Sequence, residues 1–234
     1  MMLLAIDTST RYGGVALARD GRLVSSRTWF STHNHTIELM PVVEELFRNS
    51  GIQPIDLRGI ALALGPGGFS ALRVGFAVTK GLALATGASV VGVRTLEMEA
   101  HPYASCGMTI CPLLPSSKGM VIWALFTGEA GHVRQLTAER VSTYDELTGA
   151  IIVPALFCGE AVQPLADVLK DKLGDKATFI AEYTPLARLE ALAVLGIARL
   201  ARDEQDDIES LQPFYLRPPS IGRINLSQRP EEAM

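Results

Sequence analysis

The sequence is poor in cysteine and has no excess of basic charge. Its three cysteines, Cys106, Cys111 and Cys158, are odd in number and form no CxxC pair, so neither a disulfide framework nor a zinc knuckle is indicated. Lysine and arginine total 21 against 25 acidic residues, which gives a net charge of −4. Proteins that bind nucleic acid unaided usually carry a basic face. Direct binding of RNA or DNA by this chain alone is therefore disfavoured.

Signals for export and membrane insertion are also missing. The start, MMLLAI, reaches Asp7 without a basic leader or a cleavable small-residue site. The longest apolar run, VGFAVTKGLALATGASVVGV at 74–93, contains Lys80 and is broken by Gly81 and Gly87. These interruptions favour a buried helix followed by a buried strand over a membrane span. We expect a cytoplasmic protein that does not contact membranes.

The pattern of the first hundred residues predicts a mixed α/β unit. Apolar stretches predict three strands, with Asp20 and Gly21 forming the turn between the second and the third. Apolar residues then recur at helical spacing, and Gly51 is typical of a helix stop. Pro41 either kinks this helix or lies in its first turn. The predicted elements are strands at 2–9, 13–19, 22–29, 59–64 and 90–93, and helices at 36–47 and 70–86.

The same order of elements restarts near residue 108, which predicts an internal duplication. The sequence GEAG at 128–131 is suited to a hairpin turn, and Thr184 followed by Pro185 is typical of a helix start. Each half is expected to bury its sheet under helices, with ligands between the halves or at strand ends. The predicted elements are strands at 108–117, 119–128, 132–141 and 155–158, and helices at 143–149, 162–173 and 185–202.

Two short segments are candidates for phosphate binding. The first strand ends in Asp7, Thr8, Ser9 and Thr10, which suit either a hydrated magnesium ion beside a phosphate or a hydrogen-bonded Asx turn. We favour the turn. The second segment, Gly65-Pro66-Gly67-Gly68, precedes the helix at 70–86 but lacks the Walker lysine and the GxGxxG order.

The glycine-rich segment is more simply interpreted as a sharp turn before a helix. Ala71, Gly75 and Ala83 recur along that helix at multiples of four residues. A face of small side chains lets another helix approach closely. We therefore predict that this helix packs against a partner, with phosphate binding as the lesser alternative. HExxH and GxSxG motifs are both missing from the sequence, so zinc peptidase and serine hydrolase chemistry are not indicated.

Several motifs, in the right order over nearly the whole chain, resemble the TsaB family, also called YeaZ. They are AIDTS at 5–9, His35 with Pro41, GPGGFSALRVG at 65–75, KGLA at 80–83 and PFYLRPP at 213–219. Three residues depart from the family pattern: Gly68 replaces the usual Ser, and Ser70 and Ala71 replace Thr and Gly. Members of this family are accessory subunits for making threonylcarbamoyladenosine in transfer RNA.

The resemblance implies an α/β protein of the actin-like/Hsp70-like (ASKHA) fold with two ribonuclease-H-like halves. We expect these halves at 1–104 and 105–216, followed by a loosely ordered tail at 217–234. Where the family carries an Asp-Ala-Arg-x-Gly-Glu run, this chain has Pro115 to Met120, PSSKGM, without a carboxylate. Magnesium-assisted phosphoryl transfer would lack half of its electrostatic support. Asp7, Thr8 and Ser9 are left as a weak nucleotide site at most.

By the same resemblance, the chain is a scaffold that requires no cofactor or metal of its own. It would pair with a TsaD-type transferase, join a TsaE-type ATPase in a larger complex, contact tRNA only through that complex, and form a homodimer when alone. ATP or ADP with magnesium at the partner interface stays open. The expected interface residues, some of which we expect in the core instead, are Ile37, Met40, Val43 and Phe47 on one helix and Ala71, Gly75, Val78, Lys80 and Leu82 on the next.

Two enzymatic alternatives remain at this point. One is an ATPase or small-molecule kinase of the actin-like superfamily, and the other is a glycoprotease, for which zinc ligands are not evident.

Overall fold

Two mixed β-sheets with the same strand order form the framework of the molecule. The computed structural model describes residues 1–32, 34–117 and 119–216. In the first sheet the order is β3-β2-β1-β4-β5, with β1 antiparallel to β2 and parallel to β4. Its strands are β1 (Met2–Asp7), β2 (Tyr12–Arg19), β3 (Arg22–Phe30), β4 (Gly59–Gly65) and β5 (Ser89–Arg94).

The second sheet repeats this order strand for strand. Its path is β10-β7-β6-β11-β12, and the hairpin of β8 and β9 pairs with β6 as an addition. The repeated topology is what the predicted duplication requires. The strands are β6 (Thr109–Pro115), β7 (Met120–Trp123), β8 (Phe126–Glu129), β9 (His132–Gln135), β10 (Arg140–Thr143), β11 (Ala155–Cys158) and β12 (Ala177–Phe179).

Helices cover both faces of each sheet. Helices α1 (His35–Ser50) and α2 (Phe69–Thr86) pack on one face of the first sheet, and α4 (Tyr144–Ala150) and α5 (Val162–Leu173) on one face of the second. Gly51 and Gly87 end α1 and α2 in the left-handed region, where glycine has no steric penalty. Pro41 lies inside α1.

The remaining two helices are exchanged between the halves. Helix α3 (Thr95–Ala100) buries Leu96 and Ala100 against the second sheet, whereas α6 (Pro185–Leu200) buries Leu192 against the first. Gly196 lets α6 lie close to its sheet, because a Cβ there would be 2.5 Å from the Ala61 Cβ. A division of the chain at residue 104 keeps each sheet in one half. It separates α3 and α6 from the sheets on which they pack, because α3 belongs to the first half and α6 to the second.

A few elements differ from the sequence-based expectation. The strands predicted at 119–128 and 132–141 are each interrupted, because the chain leaves the ladder at Leu125, whose N–H donates to Thr137 Oγ1. The short elements α3 and β12 were not predicted, since six and three residues are too few for a clear periodicity. The expected tail at 217–234 lies outside the described residues. Among the helices that the structure describes, none is long and apolar enough to span a membrane.

The segment after α6 runs back along the first sheet. Asp206 pairs with Val90 on the edge strand β5, and the Phe214 N–H donates to the Leu64 carbonyl. The Arg94 guanidinium lies over the Phe214 ring, 3.0 Å from its centroid. These contacts bring the PFY part of the family motif beside the glycine-rich segment at 65–68.

The helical phase of α2 differs from the prediction based on small residues. Gly75 is buried, and a Cβ there would lie 2.5 Å from Thr8 Oγ1. Ala83 is also buried in the core. The exposed small residues are Ala77, Gly81 and Ala85, on the side of α2 that faces away from the sheet.

Alanine substitutions at the two glycines should have opposite effects on stability. Gly75→Ala forces Thr8 aside and should reduce the free energy of unfolding by about 1–3 kcal/mol. Gly81 has no atom within 4 Å of an added Cβ, so Gly81→Ala should increase it by about 1 kcal/mol through helix propensity. Urea unfolding of both variants and the wild type measures the difference. Equal effects would contradict the orientation of α2.

Candidate functional site

The strand ends of both sheets meet in a cleft between the halves, where two cavities open. The first cavity has a volume of about 570 Å³ and is lined by residues 9–11, His35 and 67–71 from one half and by 114–116 from the other. The second cavity, of about 1020 Å³, lies beyond the β6–β7 turn and is lined by Tyr12, Glu160 and Tyr183 among others.

Asp7 lies at the end of β1 and is 2% exposed. Its Oδ1 accepts hydrogen bonds from the Ser9 N–H at 2.9 Å and the Ser9 hydroxyl at 2.7 Å. The Thr8 hydroxyl donates to the Ala71 carbonyl at 2.8 Å. This geometry is an Asx turn, the interpretation that the sequence favoured. All three side chains are buried and satisfied within the protein, so the predicted weak nucleotide site does not present them to a ligand.

The second oxygen of Asp7 is bound by an arginine that the sequence analysis did not identify. Arg188, in the first turn of α6, donates from Nε to Asp7 Oδ2 at 2.7 Å and from Nη1 to Glu99 Oε1 at 3.0 Å. Its Nη2 donates to Thr10 Oγ1 at 3.1 Å and to the Tyr12 carbonyl at 2.8 Å. We call these five residues the Arg188 cluster. The Arg188 side chain is 1% exposed.

Burial controls the electrostatics of this cluster. Burial raises the pKa of Glu99 from near 4.5 to about 7, with Arg188 opposing the shift and Asp7 and Glu160 adding to it. Burial also raises the pKa of Glu160, whose carboxylate lies 3.9 Å from Arg188 Nη1. The Tyr183 hydroxyl donates to Glu99 Oε1 at 3.3 Å. Three carboxylates thus share one buried guanidinium.

A nucleotide with magnesium, which the fold's catalytic members use, does not fit this constellation. Asp7 is already neutralised by Arg188 at 2.7 Å, so its carboxylate is not available to a hydrated cation. In the turn between β6 and β7, the described residues Pro115, Ser116, Ser117 and Gly119 supply no carboxylate. Within the described ranges, no group of three or more His, Cys, Asp or Glu residues is suited to hold a metal ion.

The glycine-rich segment fits tightly under the β1–β2 turn. Gly65 has φ +102°, and a Cβ at Gly67 would overlap the Ser9 carbonyl oxygen. The Gly68 N–H donates to that same carbonyl at 2.8 Å. Pro66 follows Gly65 through a cis peptide bond. The segment is therefore the predicted sharp turn, and it places the start of α2 against the first cavity.

The interface residues predicted on α1 divide between surface and core. Ile37 is 70% exposed and Met40 is 45% exposed. Val43 and Phe47 are instead buried against the first sheet, so they cannot contribute directly to a partner surface. The reason is helical phase, because positions 43 and 47 fall on the same face as the buried Leu39.

The residues predicted on α2 are mostly turned toward the protein itself. Gly75 is buried, which corrects its assignment to the interface. Ala71, Val78 and Leu82 are half-buried, and Val78 and Leu82 pack against the core of the first half. The Lys80 ammonium donates to the Glu209 carbonyl at 3.3 Å. The exposed face of α2 that the sequence analysis missed contains Ala77, Gly81 and Leu84, the last 78% exposed.

Arg188 and Glu99 could have been found from the helical pattern. Arg188 shares the buried face of α6 with Leu192 and Leu195, at spacings of four and seven residues. A charged residue at an apolar position of a helix predicts a buried partner of opposite charge. Glu99 occupies an equivalent position beside Ala100 in α3. The pattern reveals that such charges need partners, but only the fold shows which residues pair.

Glu99 should make the stability of the protein depend on pH. Its pKa is about 7 in the folded state, against about 4.5 for an ordinary glutamate in an unfolded chain. The folded protein therefore binds this proton more tightly, and the free energy of unfolding should fall as the pH rises from about 4.5 to about 7. The slope from this one group is at most about 1.4 kcal/mol per pH unit. Glu99→Gln should flatten the profile, leaving the part due to Glu139 and Glu160, whose pKa values burial also raises. Urea unfolding between pH 5 and 8 tests this, and an unchanged slope would contradict it.

Comparison with known proteins separates two related families. The family model described as TsaD, tRNA N6-adenosine threonylcarbamoyltransferase, matches residues 30–221. The transferase of that name from Anaeromyxobacter dehalogenans (strain 2CP-C) is 36% identical over 129 residues, but the match covers 48% of this chain and 38% of the transferase. The tRNA threonylcarbamoyladenosine biosynthesis protein TsaB of Bacillus subtilis (strain 168) is 30% identical over 223 residues, which cover 93% of this chain and 94% of the relative.

Solved structures support the same assignment and confirm the fold. YeaZ from Pseudomonas aeruginosa superposes with a TM-score of 0.74 at 27% identity, covering 92% of this chain and 99% of that chain. The ROK hexokinase from Thermus thermophilus, with a TM-score of 0.52 at 13% identity over 86% of this chain and 100% of that one, shares the fold alone. The predicted actin-like/Hsp70-like fold is thus confirmed, and the end-to-end matches show that the chain belongs to the TsaB (YeaZ) family.

Proposed function

We propose that this chain is the non-catalytic accessory subunit that binds and supports a TsaD-type transferase in the threonylcarbamoyladenosine modification of tRNA. Membership of the TsaB family supports the pathway. The observation that carries the non-catalytic part is the buried pair of Asp7 and Arg188, because it occupies the carboxylate that a nucleotide-bound magnesium ion would need. The chain accordingly requires no cofactor of its own.

The exposed faces of α1 and α2 form the proposed partner surface. It contains Ile37 and Met40 on α1 and Ala77, Gly81 and Leu84 on α2. The small residues on α2 allow a partner helix to approach closely. Burial of the exposed apolar side chains against that helix favours association, because it removes apolar surface from water. The transferase relatives match about half of this chain, so the proposed partner has related helices with which to build a four-helix contact.

The other assignments follow from this surface and from the charge. Without a transferase, an exposed apolar helix pair favours a two-fold homodimer. The net charge of −4 supports tRNA contacts made through the partners, including a TsaE-type ATPase in the larger complex. A role in tRNA modification supports action in the cytoplasm.

The main enzymatic alternative is an ATPase or small-molecule kinase of the same fold. Purified protein with ATP and magnesium should show no turnover approaching about 1 per second, the low end of typical enzymes. Inorganic phosphate release measured over an hour, with heat-denatured protein as the blank, gives the rate. Turnover at or above that rate would overturn the non-catalytic proposal.

A matched pair of glycine substitutions tests the partner surface. Gly81→Glu places a carboxylate on the exposed face of α2, while Gly149→Glu does the same on α4 in the other half; neither glycine has an atom within 4 Å of an added Cβ. We expect Gly81→Glu to abolish co-purification with the transferase, because a charge in an apolar helix contact is not compensated. Gly149→Glu should leave co-purification unchanged.

The functional readout is nucleoside mass spectrometry of tRNA from cells depleted of this protein. Wild type and Gly149→Glu should restore threonylcarbamoyladenosine, and Gly81→Glu should not. Restoration by Gly81→Glu with an intact complex would show that the partner binds elsewhere. An unchanged modification level in the depleted cells would overturn the proposed pathway role itself.

A further inference from the structure

Two of the family motifs meet at the start of α2 in a stack of three side chains. The guanidinium of Arg73 lies over the ring of Phe69, with its Cζ 3.9 Å from the ring centroid. The Phe69 ring in turn contacts the ring of Tyr215, at a distance of 4.9 Å between centroids. Phe69 and Arg73 belong to the motif at 65–75, and Tyr215 belongs to the motif at 213–219. We call these three residues the Arg73 stack.

The C-terminal segment and the helix together hold the Arg73 stack in place. Phe214 donates its N–H to the Leu64 carbonyl at 2.8 Å, which fixes the backbone next to Tyr215. Side chains in a helix lean toward its N-terminus and lie over the residue four positions earlier, so Arg73 is directed onto Phe69. A guanidinium that is already positioned in this way loses less conformational entropy when it binds a partner.

Arg73 continues the exposed face of α2 that forms part of the proposed partner surface. It is exposed, and so are Ala77, Gly81 and Leu84, which follow it along the same helix. Residues at these spacings lie on one side of a helix. The four residues therefore form one stripe with a charged end, and a partner helix that packs along the stripe comes within reach of the guanidinium.

The guanidinium of Arg73 has no counter-charge within the described part of the chain. No carboxylate of the described residues forms an ion pair with it, whereas the exposed Arg27 pairs with Glu45 at 3.1 Å. Covering a charge without a counter-charge is costly, but a guanidinium paired with a carboxylate through two hydrogen bonds is favourable. A partner that covers this end of α2 therefore has to supply a carboxylate.

We propose that Arg73 binds a carboxylate of the TsaD-type transferase and thereby determines the position of that partner along α2. This contact rests on the proposed accessory function, because it uses the same helix surface. Phe69 and Tyr215 are positioning residues, since they hold the guanidinium in place. The C-terminal segment thus contributes to pairing although it lies outside the helix surface.

The test is isothermal titration calorimetry of the full chain with the purified TsaD-type transferase of the same organism. Arg73→Gln removes the charge and should raise the dissociation constant at least about tenfold, because the partner carboxylate loses its counter-charge. Arg73→Lys keeps the charge but not the planar, two-pronged donor set, and it should recover only part of the loss. Arg22→Gln removes an exposed arginine from β3 instead, and it should bind within about twofold of the wild type.

A double-mutant cycle tests the positioning role of Phe69. Phe69→Leu removes the ring under the guanidinium but keeps an apolar side chain, and it should weaken binding about threefold. In the Arg73→Gln background the same substitution should have no further effect, because no guanidinium is left to position. A merely structural role for Phe69 predicts the same loss in both backgrounds, and that result would contradict the positioning role.

The dependence of affinity on salt gives a second readout. The affinity of the wild type should fall more steeply with ionic strength than that of Arg73→Gln, because salt screens an ion pair at the edge of an interface. Equal slopes would mean that no carboxylate meets Arg73, which would overturn the proposal.

The variants also separate this contact from the proposed partner surface. If Gly81→Glu abolishes transferase binding while Arg73→Gln binds like the wild type, the partner surface stands and the carboxylate contact is wrong. If neither substitution changes the affinity, both are wrong. Sedimentation equilibrium of the chain alone covers the remaining occupant, because a weaker homodimer in Arg73→Gln with unchanged transferase binding would assign the carboxylate to a second copy and overturn the proposal.

Discussion

The buried guanidinium of Arg188 connects elements of both halves of the molecule. It joins the end of β1, through Asp7, to α3, through Glu99. Because α3 packs on the second sheet and α6 on the first, this one side chain ties both exchanged helices to the strand end between them. Removing one partner of a buried ion pair typically costs about 3–5 kcal/mol. The cluster therefore fixes the relative position of the helices that connect the two halves.

The same contact changes what the cleft is able to do. The fold places the end of β1 beside a cavity, as in nucleotide-binding proteins of this architecture, but the Asp7 carboxylate is satisfied by the chain itself. An internal arginine thus takes the charge-neutralising role that a cation has in phosphoryl transfer. What remains for the proposed function is the exposed surface of α1 and α2, which depends on how these two helices are oriented.

The orientation of α1 and α2 assigns different tasks to neighbouring residues. On α2, Gly75 contacts Thr8 within the core, whereas Gly81 is open to solvent. On α1, Val43 is buried and Ile37 is exposed. Each helix is apolar on more than one side, so hydrophobicity alone does not separate the core face from the partner face. The position of the sheet distinguishes the two faces, because the side chains that pack against it form the core.

The sequence was sufficient to predict the order of most elements, the duplication and the turns at Asp20-Gly21 and Gly65–Gly68, because these depend on local periodicity and local backbone preference. Its motifs, through their resemblance to known proteins, also indicated the family. It also favoured the Asx turn at Asp7, which needs only neighbouring residues. The pairing of Asp7 with Arg188 spans 181 residues, and the contact of Phe69 with Tyr215 depends on the return of the chain along the first sheet. These features were decided by the tertiary structure, because no local rule specifies which distant side chains share a buried space.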